Sequence, residues 1–151
     1  MITPGLAKIE GFLKIHDPNN GEVFVDKKNA INYENISIAM AQTLSDRNLG
    51  YIYQMAFGNG GSSVDPTGVI TYLPPNTTGQ NADLYNETYA KVVDDNSSAN
   101  TDAANNKMTV LHTAGKVYTD ILVTCLLDYG EPAGQQAFDN STNFNGEYVF
   151  E

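Results

Sequence analysis

Apolar and polar positions change rhythm several times along the chain. Lys8 to Ile15 and Glu22 to Val25 are extended runs separated by His16-Asp17-Pro18-Asn19-Asn20-Gly21. Asp and Asn bond to nearby main chain, Pro holds φ, and Gly opens positive φ, so this stretch predicts a β-hairpin. From Asn32 to about Asn48 the spacing turns helical. Asn32 can cap the first turn, Glu34 suits the positive end of the dipole, and Ile36, Met40 and Leu44 recur on one face beside Ala39. Arg47 lies near the far end and Gly50 follows as a stop. Tyr51 to Phe57 is rich in strand formers, and Gly58-Asn59-Gly60-Gly61-Ser62-Ser63 ends it. Val64-Asp65-Pro66-Thr67-Gly68 reads as another turn, Val69 to Leu73 as a short strand ended by Pro74-Pro75, and Leu84 to Val93 as an extended segment. Residues 94 to 106 are almost all Asp, Asn, Ser, Thr and Ala, which predicts an exposed loop of the long kind that is functional or mobile. Met108 to Thr113 and Lys116 to Leu127 complete the strands. In the second of these, Val117, Thr119, Ile121, Val123, Cys125 and Leu127 alternate onto one face.

About seven short strands, one helix and no alternation of the two predict a mainly β fold. The expectation is an antiparallel sheet or β-sandwich with one packed α-helix (about 32–48) and long polar loops. A length of 151 residues fits a single domain, 1–151. After a Gly, Pro, Asn and Ser stretch from Tyr129 to Gly146, the segment Glu147-Tyr148-Val149-Phe150-Glu151 reads as a strand that has only begun. Two explanations stay open: Tyr148, Val149 and Phe150 pair with a neighbouring subunit, or the natural chain continues.

Charge narrows the partners. Eighteen Asp and Glu against eight Lys and Arg leave a net charge of −10. That excludes ordinary nucleic-acid binding, which draws its affinity from cationic side chains, and argues against an anionic membrane surface. Only 17% of residues are charged while 41% are hydrophobic, so the composition is not that of a disordered chain. The amino terminus carries no secretory pattern and no apolar run is long enough to span a bilayer, which predicts a chain made in the cytoplasm.

Catalytic chemistry is short of parts. The lone Cys125 makes no internal disulfide and lies in the apolar run Ile121 to Leu127, where it reads as a small buried hydrophobe. With His16 and His112 as the two histidines, a multi-His metal site is out, and no Gly-x-Ser-x-Gly elbow supports a hydrolase. Asp17 to Glu22 has calcium-loop residues, but Glu22 stands where the loop needs glycine. The glycine-rich stretch at 58–61 lacks the Lys and Ser/Thr of a phosphate loop. The adjacent carboxylates Asp94-Asp95 are the best general acid/base candidates, and in a polar loop such pairs are usually solvated. Asn-x-Ser/Thr occurs at Asn35, Asn76, Asn86, Asn96 and Asn140, as any chain rich in Asn and Thr produces, and predicts no glycosylation here. No catalytic residue, metal ligand or cofactor is therefore expected. Loops rich in Asn, Ser, Thr and Tyr suit adaptable contacts with proteins or sugars, which leaves a glycan or host-surface binding module as one open reading.

The order of the segments carries a resemblance. The hairpin at Gly11-Phe12-Leu13-Lys14-Ile15 and Asp17-Pro18 is followed by Lys28-Asn29-Ala30-Ile31 and the helix. Then come Ile52-Tyr53-Gln54-Met55-Ala56-Phe57-Gly58-Asn59-Gly60-Gly61, Leu73-Pro74-Pro75-Asn76, and Leu84-Tyr85-Asn86-Glu87-Thr88-Tyr89. This succession, over residues 8 to 93, resembles virion structural proteins of tailed DNA phages. The resemblance implies a non-enzymatic subunit that assembles through symmetric interfaces in the tail, neck, collar or baseplate, or alternatively a capsid decoration protein. It implies copies of itself and other virion proteins as partners, and the virion, assembled in the host cytoplasm, as location. Gly58, Gly60 and Gly61 match as structural turn formers and Asn86-Glu87 as a polar pair.

Overall fold

The structure, a computed structural model, describes residues 8–58, 60–128 and 131. Among these the protein is mainly β, with eight strands and one helix, and the strands pair antiparallel in four two-stranded sheets. It divides into two compact units: residues 8–49 with Pro75–Ala82, and Gly50–Pro74 with the residues from Asp83 onward.

In the first unit β1 (Gly11–His16) and β2 (Val23–Asn29) form the expected hairpin. The intervening polar residues close it as their chemistry dictates. Asn19 N–H donates to Asp17 Oδ1 at 2.8 Å, Glu22 N–H to Asn20 Oδ1 at 2.8 Å, and Gly21 supplies a φ of 76°. Strand β2 runs on through Lys27-Lys28-Asn29, so Phe12 faces Lys28 and Lys14 faces Asp26 across the ladder. Leu13, Ile15 and Val25 turn to the half-buried side, while Phe12, Lys14 and Lys28 face out.

The helix α1 (Tyr33–Leu44) starts as expected, with the Asn32 side chain accepting from Asn35 N–H at 3.1 Å. It ends four residues before the predicted Asn48. Ser45 N–H bonds back to Ala41 O and Arg47 N–H to Gln42 O, and Asp46 adopts a left-handed φ of 55°, so the end carbonyls are closed before Gly50 is reached. Its covered side is also displaced from the predicted Ile36-Met40-Leu44 stripe. Ile36 and Ala39 are half-buried, Met40 is exposed and Leu44 is 84% exposed, and no helix residue is fully buried. The cause is polar. Asn32 Nδ2 donates to Asn81 O at 3.2 Å and Asn35 Nδ2 to Gln80 O at 3.0 Å, which brings the proline-led segment Pro75–Ala82 against that side.

The second unit is built on β3 (Gln54–Gly58) paired with β6 (Glu87–Val92). Phe57 is buried there among Met55, Tyr89, Cys125 and Leu127. Between them β4 (Ser62–Val64) and β5 (Ile70–Tyr72) make a hairpin where a stop and a turn were expected before the single strand. Asp65 explains it. Its Oδ1 accepts from the N–H groups of Thr67 (2.8 Å) and Val69 (3.0 Å) and from the Thr67 hydroxyl (2.6 Å), and Gly68 takes a φ of 88°. These bonds hold the Asp65 carboxyl below the usual aspartate range, the Thr67 hydroxyl contributing most. Last come β7 (Lys107–Leu111) and β8 (Asp120–Thr124), a hairpin turning at Gly115.

Candidate functional site

The segment predicted as an exposed loop, 94–106, is a loop exposed along most of its length, but it is anchored at both ends by buried polar side chains. Val93, at 0% exposure, leads into it, and Asp94 and Asn106 are buried. Polar side chains replace the missing ladder. Asn100 Nδ2 donates to the carbonyls of Asp94 (3.2 Å) and Asn106 (2.8 Å). Asn106, 1% exposed, donates to Asp102 O at 3.0 Å and accepts from Leu126 N–H at 2.9 Å, which ties the loop to the chain leaving β8. Asp94 Oδ1 accepts from Asn96 N–H at 3.0 Å and Asp95 Oδ1 from Met108 N–H at 3.4 Å. Of the carboxylates singled out as acid/base candidates and expected in solvent, Asp95 is exposed and Asp94 is buried, and both cap main-chain donors. The burial of Asp94 and Asn106 escaped the expectation because it judged burial by apolar content, whereas a polar side chain can be buried once its donors and acceptors are matched.

Beside this knot lies a depression of about 330 Å³ whose lining includes Tyr89, Lys91, Asn100, Asn106 and Glu131. Lys91 Nζ, largely buried, contacts both Glu131 oxygens at 2.9 Å and donates to Leu126 O at 2.6 Å, and the Tyr89 hydroxyl donates to Glu131 Oε2. That phenolic bond, with burial and the carboxylate's charge, pushes the Tyr89 pKa up to about 12. The Tyr89 and Lys91 hydrogen bonds hold the Glu131 carboxyl below its ordinary value, and burial raises the Cys125 thiol. The charged members of the lining are spent on one another and on main chain, so the arrangement clamps residue 131 onto β6. At the β7–β8 turn His112 Nδ1 lies 3.1 Å from Tyr118 O and 2.8 Å from Thr119 Oγ1. Among the described residues no group of three or more His, Cys, Asp or Glu side chains is arranged to hold a metal ion, and no helix is long and apolar enough to cross a membrane.

The turn glycines separate into different roles. Gly58 closes β3 opposite Glu87, at an irregularity in the register. Gly60 serves close approach: a Cβ there would lie 2.7 Å from Asn86 Cβ and 2.7 Å from its backbone nitrogen. Gly61 O accepts from Leu73 N–H at 2.9 Å, beside the β4–β5 hairpin. This brings the glycine stretch and the Asn86 pair, far apart in sequence, into contact. Tyr148, Val149 and Phe150 lie outside the described residues.

What stands out on the surface is apolar. Phe57 and Val93 are the buried hydrophobic residues among those described, whereas Phe12 is 74% exposed, Val110 69% and Ile121 57%, with Phe24, Ile70, Tyr72, Leu111 and Leu122 also exposed. Val110 and Ile121 sit directly opposite each other in the β7–β8 ladder. The alternation read in Lys116 to Leu127 is real at its root, where Cys125 and Leu127 pack on Phe57, but Val117 and Ile121 carry the same face into solvent. Comparison of the chain with protein-family models, curated proteins and solved structures found no match.

Proposed function

We propose that this chain is a non-enzymatic structural subunit of a tailed-phage virion, assembling through symmetric protein–protein interfaces in the tail, neck, collar or baseplate. One observation supports the assembling role above all. In a sequence that is 41% hydrophobic, Phe57 and Val93 are the apolar side chains buried among the described residues, while hairpin residues such as Phe12, Val110 and Ile121 stand in solvent. Apolar area gains roughly 25 cal/mol per Å² on leaving water. A monomer forgoes that gain, and patches left open in this way mark interaction surfaces. The virion assignment draws on the resemblance of residues 8 to 93 to phage structural proteins. Its partners are copies of itself and other virion proteins, and its place is the particle assembled in the host cytoplasm.

Sedimentation of the purified protein tests the assembling role: a closed oligomer is expected, and a monomer at high concentration overturns it. Image reconstruction of particles containing the chain tests the location, and density on the capsid faces alone would replace the tail reading with capsid decoration. The carboxyl-terminal segment enters as a strand donated to a neighbour, because two-stranded sheets leave edges open to pairing. Deleting Glu147 to Glu151 is expected to lower the oligomer mass while the thermal midpoint of the fold stays near that of the full chain; an unchanged mass removes the segment from the interface.

A further inference from the structure

The β7–β8 ladder fixes which of its main-chain groups face outward. Met108 N–H is bonded to Asp95 Oδ1 at 3.4 Å, so it does not face its ladder partner Val123. Hydrogen-bonded and non-hydrogen-bonded pairs alternate in an antiparallel ladder, which makes Met108–Val123 and Val110–Ile121 the non-hydrogen-bonded ones. Residues of such pairs turn their N–H and C=O away from the partner strand. On β7 that outer edge is partly taken by Asp95. On β8 the outward groups of Ile121 and Val123 meet no main-chain partner among the described residues, and the Ile121 side chain is exposed beside Val110. Charge sets the same hairpin apart. It holds Lys107 and Lys116 against Asp120, and neither lysine enters an ion pair among the described residues; the rest of the second unit's described residues hold Lys91 against eight Asp and Glu.

We infer that Glu147 to Glu151 of one copy adds as a third strand to the open β8 edge of a neighbouring copy, pairing with the main chain of Ile121 and Val123. The inference rests on the assembling-subunit reading and names the acceptor of its donated strand. Tyr148 and Phe150 alternate with Val149, so an added strand carries apolar side chains to both faces of the sheet. Ile121 and Leu122 expose apolar side chains on those two faces, and each gains a cross-strand neighbour. The charges of the segment, Glu147 and Glu151, suit the one part of the second unit where described cations outnumber acids. Reach is sufficient. Lys91 Nζ holds both Glu131 and Leu126 O, which sets the point of departure beside the exit of β8. The fifteen residues 132–146 then lead to Glu147, a span of roughly 50 Å when extended against roughly 17 Å for a strand as long as β8. The segment is thus long enough to pass its own hairpin and meet the next. Each copy gives one segment and takes one, so the contact propagates into a ring or a filament.

Two variants test this, the chain lacking Glu147 to Glu151 and the full chain with Ile121→Pro. Proline at an outward-facing position removes the N–H that the added strand needs and spares the bonds to β7. Far-UV circular dichroism checks the fold, and Ile121→Lys serves if the proline variant unfolds. Each variant alone is expected to sediment as a monomer. An equimolar mixture is expected to give a one-to-one dimer and nothing larger, since the shortened chain keeps its edge and the proline variant keeps its segment. Hydrogen exchange at the Ile121 and Val123 amides is expected to be slower in the wild-type assembly than in the shortened chain. Ile121 variants that keep the wild-type mass, when the deletion lowers it, overturn the β8 edge as acceptor and leave the assembling role standing. An unchanged mass after the deletion, or monomeric variants that fail to complement, overturns the exchange of the segment. A monomeric wild type whose Ile121 and Val123 amides are still protected shows the segment folding back on its own hairpin, which overturns the exchange and the assembling role together.

Discussion

The loop 94–106 and the β7–β8 hairpin that follows it invert the usual division of residues between inside and outside. The loop is polar and buries Asp94 and Asn106, whereas the hairpin is apolar and exposes Val110 and Ile121. The loop's ends can be buried because Asn100 and Asn106 bond the main chain as a neighbouring strand would, matching carbonyls at Asp94, Asp102 and Asn106 and an N–H at Leu126. The hairpin stays out because its strands already satisfy each other's main chain, and among the described residues its side chains lack a covering layer beyond the root at Phe57. Among the described residues the loop's ends are therefore held by directional polar bonds, while apolar area of the hairpin remains in solvent.

That contrast is open to direct attack. The largest effect is expected at Asn106: Asn106→Leu orphans the Leu126 N–H, while the Asp102 carbonyl keeps the Asn105 and Asn106 main-chain donors; an unmatched buried group costs about 1–3 kcal/mol, so urea denaturation of the variant is expected to show a loss of about 2 kcal/mol. A loss under about 0.5 kcal/mol would mean that the knot is ornamental.

A smaller loss, about 1 kcal/mol, is expected for Tyr89→Phe at neutral pH, with a distinctive pH profile. The folded-state phenol pKa is raised from 10.0 to about 12, so its contribution is complete below pH 10 and is lost as pH rises through 12. Glu131 is depressed below 4.5, mainly by the same hydroxyl, so its contribution is present above 4.5 and is lost as pH falls through the lower folded value. The difference between wild type and variant, measured by denaturant titration across pH, is expected to be flat between these limits and to close at both ends.

The smallest effect is expected in the hairpin. Val110→Ser with Ile121→Ser is expected to change monomer stability by no more than about 0.5 kcal/mol, because exposed side chains give up little on truncation. A loss approaching that of the Asn106 variant would show that the hairpin is covered within the chain itself, and the comparison would fail.

Much of the local structure was legible because its causes are local. Asp17, Asn20 and Gly21 predicted the first turn and make its bonds, and Asn32 predicted and caps the helix start. The mainly β character with one helix followed from the same signals. The helix end was missed because Ser45 and Asp46 close it, four residues inside the glycine that marks a stop in sequence. The β4–β5 hairpin was missed because a serine pair reads as a break until Asp65 is seen gathering the turn. The burial of Asp94 and Asn106 was missed because composition registers polarity and not whether partners are present. The spacing of Asp94, Asn100 and Asn106 was the available signal, since side chains that copy main-chain hydrogen bonds recur at turn intervals.

By itself the sequence determined most of the strands, the turn residues, the single helix and the acidic balance, because propensity, capping and charge act between near neighbours. Tertiary structure alone decided which side of the helix is covered, through Asn35 reaching Gln80; why Gly60 leaves no room for a side chain, through Asn86; and that Asp94 and Asn106 are buried while apolar residues such as Val110 and Ile121 are exposed. Each of these depends on groups far apart in the chain. Whether a polar group can be buried is settled by the partner it meets, and that partner is known only once the chain has folded.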